Sequence, residues 1–188
     1  MKLRPNYPEA WNNLGMVAAQ QGQAEEAVRS FKESLSQRPT YATALVNLGN
    51  IYRRQGALED SEKMLVRAIE IEPEDPEINY SLGMLYARQE QLSRASEYLE
   101  KAVRLRPEYP DALNNLGVLF VRERHNPEAE EKFKTCIRVA PNFDQAYLNL
   151  ARLYVLLEQK EKAREVLLAL LQKQPGHKLA QQALEMLN

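Results

Sequence analysis

Six prolines set the frame for this chain. Pro5, Pro39, Pro73, Pro107, Pro141 and Pro175 lie 34 residues apart without a slip, and Gly15, Gly49, Gly83 and Gly117 keep the same interval. A fixed period of this length marks a repeat architecture. One small unit recurs, cannot bury its apolar face alone, and buries it against the next copy. The fold must therefore be assembled from segments that are neighbours in sequence.

Within a period, Trp11, Leu14 and Ala18, and then Ala27, Phe31 and Ser34, follow helical spacing on either side of a break at Gly22. Pro39 lacks an N–H and disfavours helix in the residue before it, so the second helix ends there. Pro8, Pro76 and Pro110 stand where a first helix begins, and there the missing donor costs nothing. Each period reads helix, turn, helix, turn, and the predicted class is all-α. Counting slots from 1 at Pro8 gives repeats at 8–41, 42–75, 76–109, 110–143 and 144–177. Residues 178–188 read as a lone capping helix with Ala180, Ala183, Leu184 and Leu187 inward and Gln181, Gln182 and Glu185 outward. Leu3 to Pro8 echoes Leu105 to Pro110, so 1–7 is expected to be the tail of a preceding repeat in a longer protein.

Charge sets limits on partners. Lys plus Arg is 25, Asp plus Glu is 26, and the net charge is −1. No global field favours nucleic acid or an anionic membrane. No apolar run approaches the 18 residues or so of a membrane-spanning helix, and Met1 to Pro5 lacks the apolar stretch of a signal peptide. The single cysteine, Cys136, has no disulfide or metal partner. A cytoplasmic protein with no membrane or nucleic-acid partner is the expectation. His125 and His177 fall in turns of different repeats and are expected to be solvent-exposed. Cys136 occupies the small slot held elsewhere by Ser34, Ala68 and Ala102, the place of a buried structural thiol. With no phosphate loop and no metal-ligand cluster, no catalytic residue, metal or cofactor is expected.

The repeat resembles the tetratricopeptide repeat (TPR). The first period supplies Trp11, Leu14, Gly15, Ala18, Ala27, Phe31 and Pro39 at that family's positions; the fourth supplies Leu113, Leu116, Gly117, Phe120, Ala129, Phe133 and Pro141. Asn79 in a normally apolar slot, Ala18 for an aromatic and Ala151 for the glycine are the departures. Ala151 is expected to hold the last helix pair slightly further apart. The resemblance implies a superhelical α-α solenoid of TPR helix pairs, with first helices lining a concave groove. One mode of the family, a two-carboxylate clamp for chaperone tails, needs Lys at slot 5. Here slot 5 holds Asn12, Val46, Tyr80, Asn114 and Leu148, so that mode is not expected.

At 100° per residue, slots 4, 7, 8 and 11 form the packing side of the first helix, and slots 2, 5, 6, 9, 12 and 13 the opposite side. Slot 6 contains Asn13, Asn47, Ser81, Asn115 and Asn149; slot 13 contains Gln20, Arg54, Arg88, Arg122 and Leu156. Asn50, Arg53 and Arg152 add polar groups. The slot-6 asparagines resemble the ladder in the repeat domain of O-linked N-acetylglucosamine transferase. Two roles are open for them: contact with the backbone of an extended peptide, through both donor and acceptor, or a bond to a neighbouring helix. The candidate site is Asn13, Asn47, Asn50, Arg54, Ser81, Arg88, Asn115, Arg122, Asn149 and Arg152. Its arginines favour acidic or phosphorylated groups. Val118, Val121, Leu148, Val155 and Leu156 make the face apolar toward the C-terminus. The leading expectation is a non-catalytic scaffold for an extended, acidic peptide or protein partner. A self-assembling scaffold and a substrate-recruiting domain of a larger enzyme are the alternatives.

Overall fold

The computed structural model describes residues 7–187, so all but Tyr7 of the segment read as a preceding repeat's tail lies outside them. The described residues form eleven α-helices and no strand. Five antiparallel pairs follow the predicted periods: α1 (Pro8–Gln20) with α2 (Ala24–Gln37), α3 (Ala42–Gln55) with α4 (Leu58–Ile71), α5 (Pro76–Arg88) with α6 (Leu92–Leu105), α7 (Pro110–Arg122) with α8 (Asn126–Val139), and α9 (Asp144–Leu156) with α10 (Lys160–Lys173). The short α11 (Lys178–Glu185) packs on α10. The first three pairs belong to one compact unit, residues 1–105, and α7 to α11 to a second, residues 106–188.

Every pair is joined by the same turn. Slot 15 takes a left-handed conformation in all five repeats, with φ of 76° at Gly22, 82° at Gly56, 60° at Glu90, 62° at Arg124 and 59° at Glu158. Glycine adopts that geometry freely; the other three residues adopt it at a cost of about 1–2 kcal/mol each. Packing of the pair outweighs that strain. Phe31, Leu65, Leu99 and Phe133, at slot 24 of the first four second helices, are buried against the first helix of their own repeat. A methyl at Gly15 would come within 2.6 Å of the Phe31 ring, and one at Gly117 equally near the Phe133 ring. Ala151 carries that methyl in the fifth repeat, and α9 and α10 approach less closely along their length than the other pairs.

Two side-chain devices recur between repeats. At slot 4, Asn79 donates to the Pro73 carbonyl (3.2 Å), Tyr147 to the Pro141 carbonyl (3.1 Å) and Gln181 to the Pro175 carbonyl (3.0 Å). Asn79, the departure from the apolar pattern, thus pins the entry of α5 to the turn before it. At slot 11, the Tyr86 hydroxyl donates to Glu62 (3.0 Å), and the Tyr154 hydroxyl to Glu130 (2.9 Å). Each ring lies beneath a cation, with Arg94 3.8 Å and Lys162 5.4 Å from the respective centroids. Burial, together with the Glu62 carboxylate, pushes the Tyr86 phenol up to about 12.

One expectation is corrected. His125 is exposed, but His177 is largely buried. Its Nδ1 accepts from the Ala180 N–H (3.2 Å), capping α11, so Nε2 carries the proton and faces Asp144 Oδ2 at 3.0 Å. A turn histidine has become the N-cap that the last helix lacks in Ser, Thr, Asp or Asn. Cys136 is fully buried beneath α7; burial, with the nearby Asp111 charge, pushes its thiol up to about 11, away from nucleophilic chemistry.

Candidate functional site

Small residues at slot 8 draw each first helix close onto its own second helix, and a gap opens between the first helices of two pairs of successive repeats. In the first unit this gap is a cleft of about 220 Å³ between α1 and α3, lined by Met16, Ala19, Gln20, Asn47, Asn50, Ile51 and Arg54 and floored by Phe31. In the second unit it is a cleft of about 250 Å³ between α7 and α9, lined by Val118, Val121, Arg122, Asn149, Arg152, Leu153 and Leu156 and floored by Phe133. The two linings match slot for slot: 9, 12, 13 and 24 of one repeat, then 6, 9, 10 and 13 of the next. They are the same cleft, three periods apart.

Both clefts are built around the same amide pair. Asn47 Nδ2 donates to Asn12 Oδ1 at 2.9 Å, and Asn149 Nδ2 donates to Asn114 Oδ1 at 2.9 Å. Asn12 and Asn114 are buried. They sit at slot 5, counted with the groove face in the sequence, and serve instead as anchors from the preceding repeat. Their signal was present: Asn recurs at slot 5 only in repeats one and four, the repeats that carry Phe at slot 24. Each anchored amide keeps its Oδ1 without a protein hydrogen bond among the described residues, so the two open roles of slot 6 coexist in one side chain.

The remaining candidates have different settings. Asn13 is exposed on α1. Ser81 is buried and accepts from Asn50 Nδ2 at 3.1 Å, because slot 5 of the second repeat is Val46, which offers no acceptor. Arg53 reaches Asn50 Oδ1 at 3.4 Å. Burial holds the Arg53 guanidinium below its ordinary value; Arg54 and Arg88 add to this against the opposing effect of Tyr80. Asn115 donates to the Asp111 carbonyl of its own helix (2.8 Å). Arg54 and Arg88 are exposed in the first unit, and Arg122 and Arg152 in the second. The first unit therefore brings together Asn47, Asn50, Ser81 and Arg54, and the second brings together Arg122, Asn149 and Arg152. Among the described residues no His, Cys, Asp or Glu cluster suited to a metal occurs, and no helix is long and apolar enough to cross a membrane.

Tandem helix pairs presenting repeated clefts define a repeat scaffold for protein–protein interaction. Models described as tetratricopeptide repeat match residues 6–74, 40–108 and 120–187, and the chain belongs to that family. No curated protein is a significant match. Among solved structures, YrrB, described as a TPR protein with an unusual peptide-binding site, is 26% identical with a TM-score of 0.71, over 92% of this chain and 89% of its own. PilW, a type IV pilus biogenesis factor, is 22% identical with a TM-score of 0.83, over 96% and 90%. MamA is 23% identical with a TM-score of 0.75, over 86% and 95%. The last two likenesses bear on the fold alone.

Proposed function

We propose that this chain is a non-catalytic scaffold that grips an extended, acidic peptide segment along its first helices. The observation that carries the reading is the conjunction, at one cleft, of Asn47 held in place by Asn12 and Arg54 standing exposed at the mouth. An oriented amide satisfies a peptide backbone whatever its sequence. Arg54 and Arg88 have no acidic partner among the described residues, and an incoming carboxylate relieves the repulsion that these two add to the burial lowering Arg53. The likeness to YrrB, which has a peptide-binding site, favours a peptide over a small ligand.

Fluorescence anisotropy with labelled acidic, neutral and basic peptides tests this. Acidic peptides should bind most tightly and lose affinity as salt rises. Arg54→Glu should weaken them about tenfold or more, since a tenfold change needs only about 1.4 kcal/mol. Absence of saturable binding, or indifference to Arg54→Glu, sinks the reading.

A second reading rests on α1. Leu14 and Val17 are 36% and 49% exposed there, whereas their counterparts Leu48 and Ile51 are 2% and 7% exposed. Self-association through that face would appear as concentration-dependent sedimentation abolished by Val17→Lys.

A further inference from the structure

The α7/α9 cleft departs from its twin in a way that folding does not require. Slot 13 is polar in the first four repeats, yet in the fifth it is Leu156, 63% exposed. A leucine left in water contributes nothing to the core, whereas full burial of such a side chain is worth about 1.5–3 kcal/mol. Around it, Val118, Val121 and Leu153 form apolar walls over Phe133. The space, about 250 Å³, falls just below the ~300–1,000 Å³ of sites for drug-sized ligands and suits a single side chain. The polar groups are few and placed at the edge. Asn149, held by Asn114, presents its free Oδ1, and Arg152 stands exposed at the slot where the twin has Asn50.

We infer that the α7/α9 cleft is a socket for one aliphatic side chain of a bound peptide, with Asn149 receiving a backbone N–H beside it and Arg152 a neighbouring carboxylate. The occupant is fixed by the lining: an apolar anchor fills the walls, and the cation at the rim selects an acidic flank. A basic or uniformly polar segment leaves Leu156 wet and Arg152 opposed. The α1/α3 cleft, with Gln20, Asn50 and Arg54 at the corresponding slots, has no such preference for an apolar residue. This inference rests on the peptide-binding reading above and adds to it the identity of one anchor.

The intact chain is titrated, by anisotropy, with acidic peptides in which a single leucine is scanned along an alanine–glutamate background. At least one leucine-bearing peptide should bind about tenfold more tightly than the leucine-free parent, the gain expected from burying most of that side chain. Leu156→Arg, which copies Arg54 of the twin, and Leu156→Gln, which copies Gln20, should each bring that ratio to near one. Because Leu156 is exposed, circular dichroism of both variants should match the parent protein. Equal binding of all peptides, or a leucine gain that survives both variants, overturns the socket and leaves the peptide-binding reading standing. Failure of every peptide to bind overturns both. Concentration-dependent dimerisation that Leu156→Arg abolishes assigns the face to a second copy and overturns the socket.

Discussion

The α1/α3 and α7/α9 clefts share a floor, an amide pair and a slot pattern, and differ in their rims. Phe31 matches Phe133, Asn12–Asn47 matches Asn114–Asn149, and Ile51 matches Leu153; the slots of Gln20, Asn50 and Arg54 hold Arg122, Arg152 and Leu156 in the second cleft. What the two hold in common is what packs. What differs touches water. The repeat thus separates two requirements that a single globular core mixes: slots that stack helices are constrained by volume, and rim slots are free to take whatever a ligand needs.

If that separation is real, the clefts should respond alike to changes in the floor. Removal of the ring is the severest case. Phe31→Ala and Phe133→Ala should each destabilise by about 3–5 kcal/mol in urea unfolding, and a large disparity would break the equivalence. Closing the approach beneath the cleft comes next. Gly15→Ala and Gly117→Ala should cost about 1–2 kcal/mol, with overpacking against a rigid ring partly offset by helix propensity. Gly49→Ala, which meets the more pliable Leu65, should cost less. The amide pairs sharpen the comparison further. Double-mutant cycles for Asn12/Asn47 and Asn114/Asn149, each to Ala, should yield coupling energies of about 1 kcal/mol that agree within ~0.5. Smallest is a swap beneath the two helices: Ser34 Oγ donates to the Pro8 carbonyl at 2.7 Å, and Cys136 Sγ to the Pro110 carbonyl at 3.4 Å. Cys136→Ser should change stability by less than about 1 kcal/mol, whereas Cys136→Ala, which loses the bond, should cost more.

The period, the helix pairs, their prolines and the packing slots were legible in the sequence because they follow from spacing, and spacing survives in one dimension. The residues that order the clefts were less so. A helical wheel puts Asn12 and Asn114 on the groove face, but their depth is set by the next repeat's first helix, which a wheel of one helix omits. The same omission hid the role of Asn79: the Pro73 carbonyl that receives it lies six residues back, across a turn. His177 was misread because histidine is an uncommon helix cap, and only the position of Asp144 fixes its ring. For Asn115, the wheel could not show the bond to its own backbone.

The tyrosine–glutamate link has a consequence for how cooperatively the array holds together. Tyr86 and Tyr154 each reach a carboxylate in the preceding repeat, so neither can let go without a largely buried O–H losing its acceptor. In a one-dimensional array, such nearest-neighbour terms decide whether adjoining units melt together or one by one. For Tyr52, the corresponding residue of the second repeat, the carboxylate's slot holds Val28, which offers no acceptor. The boundary between the first and second repeats therefore lacks a link that the boundary between the second and third has. Native-state hydrogen exchange should find α1 and α2 opening at lower free energy than α3 to α6, as a separate step before the rest of the unit gives way.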